Sequence, residues 1–223
     1  YDGVKWQILA NLPNGNYNDF LRLDENQMPV WKPLLDQALL PEAKLTWLSG
    51  FPLGSIPMKL VVQNERAYVI DRGSDDLKVI DISDRSNPSL LGSIALGPYP
   101  EGLAVSGNYA FVTDRDSNDL KVIDMSNLDS LEVIDSFGVG DFTLELAVSG
   151  HYLYAVDRTA RTLTVYDISN ISSITPVYVS GAIFIDPLEL KQSGKYLYVE
   201  GGGRLVTIDI SNPLAPQVIG NAA

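Results

Sequence analysis

The chain has 223 residues, 45% hydrophobic and 20% charged, which suits a folded protein with a sizeable core and excludes a disordered one. It has no cysteine, which excludes disulfides, thiolate metal sites and cysteine nucleophiles. The net charge of −12 comes without a basic stripe, which argues against nucleic acid and anionic membrane surfaces as partners, and no apolar run approaches the ~20 residues that span a bilayer. Residues 1–50 hold six acids and four bases and residues 51–223 hold 22 and 12, so most of the charge lies in the second region. The chain opens on Tyr1 rather than Met and is read as a processed product or a portion of something longer.

Residues 1–44 form a region of their own, expected to be a small β-rich segment. Tyr1-Asp-Gly-Val-Lys-Trp-Gln7 reads as a hairpin turn entering a strand. Asn18 to Trp31 repeats that logic as strand, polar turn and strand ending in Trp. These phrases are similar to short β units of phage tail fibres and large bacterial surface fibres. They also suit a β cap on the rest of the chain, followed by a short helix or loop over Lys32–Leu40, and both readings stand. Residues 45–223 are the second domain. Its first segment, Leu45 to Leu53, is similar to Leu90 to Leu96 further on and is a candidate to pair with C-terminal strands.

From about Pro57 onward one unit occurs four times. Leu77-Lys-Val-Ile-Asp-Ile-Ser83 matches runs starting at Leu120, Leu163 and Leu205, at spacings of 43, 43 and 42 residues. A second series, Leu60 to Asp71, Leu103 to Asp114, Leu146 to Asp157 and Leu190 to Glu200, precedes each run. The repeats span about 57–96, 97–139, 140–184 and 185–223. The second unit reads as four strands, Gly102–Val105, Tyr109–Thr113, Leu120–Met125 and Leu131–Phe137, separated by Ser-Gly-Asn and Asp-Ser-Asn-Asp turns. Its third strand is apolar on both faces, with Leu120 and Val122 on one and Ile123 on the other, so both faces need a neighbour. Four strands in about 43 residues give all-β, four-stranded antiparallel blades of a propeller. Four units either close alone or form an arc of a larger ring, and an unclosed arc leaves an edge open to pairing.

The unit Gly102 to Asp114, then Leu120-Lys-Val-Ile-Asp124, with Ser211-Asn-Pro213 in the fourth copy, resembles the LVIVD repeat. That family implies a β-propeller and a setting in surface or secreted bacterial and archaeal proteins, and supplies no defined catalytic residues. The third copy departs at Asn170-Ile-Ser-Ser, and the fourth has Glu200-Gly-Gly-Gly203 where an Asp is expected.

Candidate chemistry is sparse. Asp81, Asp124, Asp167 and Asp209 recur once per unit, whereas a catalytic residue is needed once per site, so they are expected to brace the following turn by accepting backbone N–H bonds. Asp71-Arg72, Asp114-Arg115 and Asp157-Arg158 also recur. Neighbours on a strand point to opposite faces, so these pairs do not bond to each other, and an Arg of one blade is placed to reach an Asp of the next. Asp114, Asp116 and Asn118 alternate as oxygen donors like a calcium loop. Neither a Gly at the bend nor a downstream bidentate Glu accompanies them, and a polar hairpin turn explains the same residues. His151 is the sole histidine and falls in a turn, which leaves no basis for a zinc site or a His-based triad.

In this architecture the loops between blades share a face with the turns between second and third strands. That face is expected to carry Phe51, Tyr99, Glu101, Asp141, Phe142, Phe184 and Asp186, a mixture of rings and acids suited to recognition. The alternative is that some of these rings close the blade ends as core. The expected function is a non-enzymatic structural, adhesive or protein-binding module of a cell-surface or virion assembly, extracellular, with no cofactor and no metal. Its partners are other protein subunits or a surface glycan. The alternatives are a propeller enzyme acting on glycans, which requires paired carboxylates at a central pocket, and a free scaffold that recruits another protein.

Overall fold

The computed structural model describes residues 50–222 and, before them, the strands β1 (Asp19–Leu23) and β2 (Pro29–Pro33). The chain divides into two compact units, Tyr1–Leu48 and Ser49–Ala223. In the first, β1 and β2 pair antiparallel with Leu21 opposite Trp31, which are the two strands read between Asn18 and Trp31. The readings at Tyr1 to Gln7, most of Lys32–Leu40 and residues 45–49 lie outside the described residues.

The second unit holds four antiparallel sheets, each a meander of four strands. Blade one is β3 (Pro57–Gln63), β4 (Arg66–Asp71), β5 (Asp76–Asp81) and β6 (Ser89–Ala95). Blade two is β7 (Pro100–Ser106), β8 (Tyr109–Asp114), β9 (Asp119–Asp124) and β10 (Glu132–Gly138). Blade three is β11 (Thr143–Ser149), β12 (Tyr152–Asp157), β13 (Thr162–Asp167) and β14 (Thr175–Val179). Blade four is β15 (Pro187–Ser193), β16 (Tyr196–Gly201), β17 (Arg204–Asp209) and β18 (Gln217–Ala222). The β-propeller blades expected from the repeat are therefore present, with strand ends within about two residues of those read for the second unit. Blade four contains β15 to β18 alone among the described residues, and the start of the Leu45 to Leu53 segment lies outside them.

The register divides each blade into two faces. In blade one Tyr68 opposes Val79 and Ile70 opposes Leu77, which sets the front face. Leu60 opposes Val69, and Ala67 opposes both Val62 and Ile80, which sets the back. Each front packs on the next back. Leu77 and Val79 share a buried cluster with Leu103, Ala110, Val112 and Ile123 of blade two. Phe111, Leu120 and Val122 of blade two meet Leu146, Leu153, Ala155 and Tyr166 of blade three. Tyr154, Leu163 and Val165 of blade three meet Leu190, Leu197, Val199, Val206 and Ile208 of blade four. No buried cluster among the described residues joins blade four to blade one. The four blades form an arc.

The same turns recur because the same residues enforce them. Gly107, Gly150 and Gly194 hold left-handed φ of 57–59° between the first two strands, where a side chain would cost energy. Between the second and third strands a buried aspartate braces the turn. Asp71 Oδ1 accepts the N–H groups of Gly73 and Ser74, Asp114 Oδ1 those of Asp116 and Ser117, and Asp157 Oδ1 that of Ala160. Blade four lacks this acid because its turn is shorter. Gly201 pairs with Arg204, and Gly202 and Gly203 make a two-residue turn at φ 58° and 73°.

Candidate functional site at the loop face

The inner strand of every blade carries a register shift near its start, after Pro57, Pro100, Thr143 and Pro187. Such a bulge re-aims the side chain that follows it. The re-aimed positions are Lys59, Gly102, Glu145 and Glu189, and three of them converge. Lys59 Nζ pairs with Glu145 and lies 3.5 Å from Glu189, so one ammonium of blade one bridges carboxylates of blades three and four. Lys191 Nζ lies 2.6 Å from the other oxygen of Glu189. Glu145 is buried, and burial pushes its carboxyl up from the ordinary 4.5 despite Lys59. Glu189 is more open; burial opposes its charge, but Lys191 and Lys59 outweigh that and hold it below the ordinary range. Burial also opposes the Lys59 charge, and Glu145 and Glu189 together raise it above 10.5.

Around this centre runs a stair of guanidinium and ring contacts from blade to blade. The Arg72 guanidinium pairs with Glu101 and sits 5.4 Å from the Tyr99 ring of blade two. Arg115 sits 4.2 Å from the Phe142 ring of blade three and Arg158 5.6 Å from the same ring. Arg158 Nε then donates to Asp186 of blade four at 2.6 Å. Tyr99, Phe142 and Asp186 occupy equivalent places and all adopt left-handed φ, 59°, 67° and 43°. For a side chain larger than Gly this costs of order 1–2 kcal/mol. The conformation aims the Tyr99 carbonyl at the Arg115 N–H (3.1 Å) and the Phe142 carbonyl at the Arg158 N–H (3.2 Å), so each guanidinium is carried by the ring residue of its own blade. Phe142, Arg158, Thr159, Arg161, Ile185 and Asp186 line an open groove of about 460 Å³.

The residues expected on this face divide into two groups. Tyr99, Asp141 and Asp186 are exposed and Phe142 is half-buried beside them, with Asp141 Oδ1 accepting from Asn118 Nδ2 at 3.1 Å. Glu101 is buried beneath Arg72. Phe184 is a core residue between blades three and four, and Phe51 packs on Ala67, Val69 and Ile80, so these two rings close blade ends instead of facing a partner. The expected reach of an Arg to an Asp of the next blade is found at Arg158 with Asp186; Arg72 reaches across to a glutamate, Glu101, and Arg115 lies 4.0 Å from that glutamate within its own blade. The cluster at Lys59 was not legible in the sequence, since its three members are distant in the chain. Its only signal was a charge or Gly ahead of each Leu60-type residue.

Asp81, Asp124, Asp167 and Asp209 each accept the N–H of the serine two residues on, at 2.8 Å. Those serine bonds hold Asp81, Asp167 and Asp209 below the ordinary carboxylate range. Of the calcium candidates, Asp114 already uses one oxygen for its turn and gives the other to Lys121 Nζ at 2.9 Å, and Asn118 turns to Asp141. Among the described residues no three of His, Asp and Glu gather as a metal site. His151 is exposed in a turn at the opposite end of the blades.

The four units match the model of the LVIVD repeat over residues 57–95, 99–138, 142–178 and 189–223, well over half of the chain. No curated protein matches. Solved structures with the same fold include hydrazine synthase of Kuenenia stuttgartiensis (17% identity, TM-score 0.61, covering 79% of this chain and 52% of that one). They also include a putative 6-phosphogluconolactonase of Bacteroides fragilis (12%, 0.61, 75% and 57%) and the periplasmic gluconolactonase of Pseudomonas aeruginosa (15%, 0.60, 74% and 53%). At these identities the likeness is one of fold, and the chain spans about half the length of each of those structures. With four matched repeats, each folded as a four-stranded blade, the chain belongs to the LVIVD repeat family of β-propellers.

Proposed function

We propose that the chain is a non-catalytic binding module that engages its partner through the loop face, within a cell-surface or virion-like assembly. The observation that carries this reading is the stair Arg72–Tyr99, Arg115–Phe142–Arg158 and Arg158–Asp186, repeated over three blade junctions and ending in an open groove. Rings, guanidinium forks and carboxylates in one shallow surface offer stacking, bidentate donors and acceptors together, which suits a surface glycan or a polar loop of another subunit. The extracellular setting rests on the family resemblance and on the fibre-like phrases before Trp31. Arrays of acidic and neutral glycans, and pull-downs from the source surface, test the reading. Binding to one class is expected, with loss in Arg115→Glu/Arg158→Glu at unchanged melting temperature. Retention of binding in that variant overturns it.

One observation favours a second reading, an enzyme acting on glycans. Glu145 and Glu189 flank one ammonium and their carboxyls are pushed in opposite directions, the division of labour of an acid and a base. Turnover of a glycan abolished by both Glu145→Gln and Glu189→Gln would replace the first reading with this one.

A further inference from the structure

We propose that the groove between blades three and four binds a sugar unit bearing one carboxylate, with the Arg161 guanidinium as the group that takes the carboxylate. This rests on the loop-face reading above and names the ligand class for one part of that face. The argument starts from the equivalent turns between second and third strands. Blade one has Asp71-Arg-Gly-Ser-Asp-Asp76 and blade two Asp114-Arg-Asp-Ser-Asn-Asp119, each with three carboxylates and one arginine. Blade three has Asp157-Arg-Thr-Ala-Arg-Thr162, with one carboxylate and two arginines. The sign of the turn is reversed there, in a chain whose net charge is −12.

Arg161 stands at a costly place. It adopts φ 62°, as Asp75 and Asn118 do at 51° and 53° in the equivalent positions. Asp and Asn tolerate that left-handed backbone, whereas a longer side chain holds it at a cost of about 1–2 kcal/mol. Strained positions of this kind collect at ligand sites. The fold uses the Arg161 backbone, whose carbonyl accepts the N–H groups of Ile183 and Phe184 at 3.0 and 3.3 Å. It does not use the side chain. Asn118 spends its amide on Asp141, but the Arg161 guanidinium is exposed, and no hydrogen bond or ion pair ties it to a described residue. Its charge is felt by Asp186, and Asp186 already accepts from Arg158 Nε at 2.6 Å. The Arg161 charge is therefore the unbalanced one on this wall.

The groove has the size and lining for one sugar unit. Its volume of about 460 Å³ falls within the roughly 300–1,000 Å³ of small-ligand sites. Phe142 and the exposed Ile185 give apolar walls for the C–H faces of a pyranose, and Thr159 and Asp186 offer acceptors for its hydroxyls. A guanidinium is a planar fork that meets a carboxylate through two parallel N–H bonds. One unbalanced positive charge suits one carboxylate. A phosphate brings about 1.5–2 negative charges and a densely sulfated chain brings many, against an acidic protein. All the groove residues belong to blade three or to the connections that flank it, inside the arc and away from both of its end faces.

The test is calorimetric titration of the full chain with disaccharides of glucuronic, galacturonic and mannuronic acid, their methyl esters, and sulfated glucose disaccharides. At least one acid is expected to bind about tenfold more tightly than its own ester and than the sulfated sugars, the worth of one hydrogen-bonded charge. Arg161→Asn installs the residue that blade two holds at the same φ and should fold, verified by circular dichroism. It should weaken binding of that acid by about tenfold and leave the ester unchanged. No acid bound, acid and ester bound alike, sulfated sugars bound as tightly, or an Arg161→Asn variant that binds the acid as wild type does overturns the proposal. A neutral glycan or an acidic peptide that binds instead, and is lost in Arg115→Glu/Arg158→Glu, overturns this ligand class and leaves the loop-face reading standing. A ligand retained in that double variant overturns both.

Discussion

The internal blade junctions and the two end faces are built from the same repeat and have different fates. Leu120 and Leu205 open the same motif and receive the same backbone conformation, yet one is sealed between sheets and the other is open to water. The difference teaches that the motif specifies a strand with two apolar faces, and that burial is granted by the neighbour. On the open front of blade four Thr207 stands where Val79, Val122 and Val165 stand in the other blades, and Glu200 where Ile70, Thr113 and Val156 do.

The largest effect expected from this comparison is in the core. Leu120→Ala leaves a cavity between blades two and three and should cost about 2–5 kcal/mol. Leu205→Ala, measured alongside it by urea melts, should cost under about 1 kcal/mol. Equal costs would show that blade four is covered in the single chain. Next comes the turn aspartate. Asp114→Ala removes the acceptor for two backbone N–H groups and for Lys121, a loss of about 1–3 kcal/mol by thermal melts. In that variant, replacing the blade-two turn, residues 115–118, with the short Gly202-Gly203 turn of blade four should recover stability if turn geometry is what the acid provides.

Acid titration sharpens the contrast between exposed and enclosed carboxyls. Asp119 is opposed by burial but lowered below 3.8 by Ser117, Ser136 and Lys121. A depressed folded value contributes stability that is present above 3.8 and lost as the pH falls through the folded value. Asp119→Asn should flatten that limb. Glu145 behaves in the opposite sense. Its folded value lies above 4.5, so its contribution is present below 4.5 and is lost as the pH rises through the folded value. Melting temperatures of Glu145→Gln and wild type across this window check the sign. The smallest effect is at the surface stair: Phe142→Gly removes both the left-handed strain and the stacking of Arg115 and Arg158, so stability should change by less than about 1 kcal/mol while partner binding is lost.

Much of the fold was legible because it is local and repeated. The strands of blade two, the turn after Tyr109–Asp114 and the role of Asp124 follow from residues within a few positions of one another. The site was less legible. Tyr99, Phe142 and Asp186 were recognisable as loop residues, but their left-handed backbone was not, and at Tyr99 and Phe142 it goes with a bond from the N–H of an Arg sixteen residues later. Phe184, in the seven-residue connection between β14 and β15, lies in the core between blades three and four, whereas Phe142 lies in a four-residue connection against Arg115.

The sequence by itself determined the blade: its period, four strands, turn chemistry and braced aspartates, all set by hydrogen bonds and side-chain alternation over short distances. Only the tertiary structure decided how many faces find a neighbour. It also decided which rings close the core, and that Lys59, Glu145 and Glu189 meet at one point. Those outcomes depend on the angle between successive sheets and on the bulges that re-aim inner-strand side chains. Residues 86 and 130 positions apart meet there through the curvature of the arc, which no spacing in the sequence encodes.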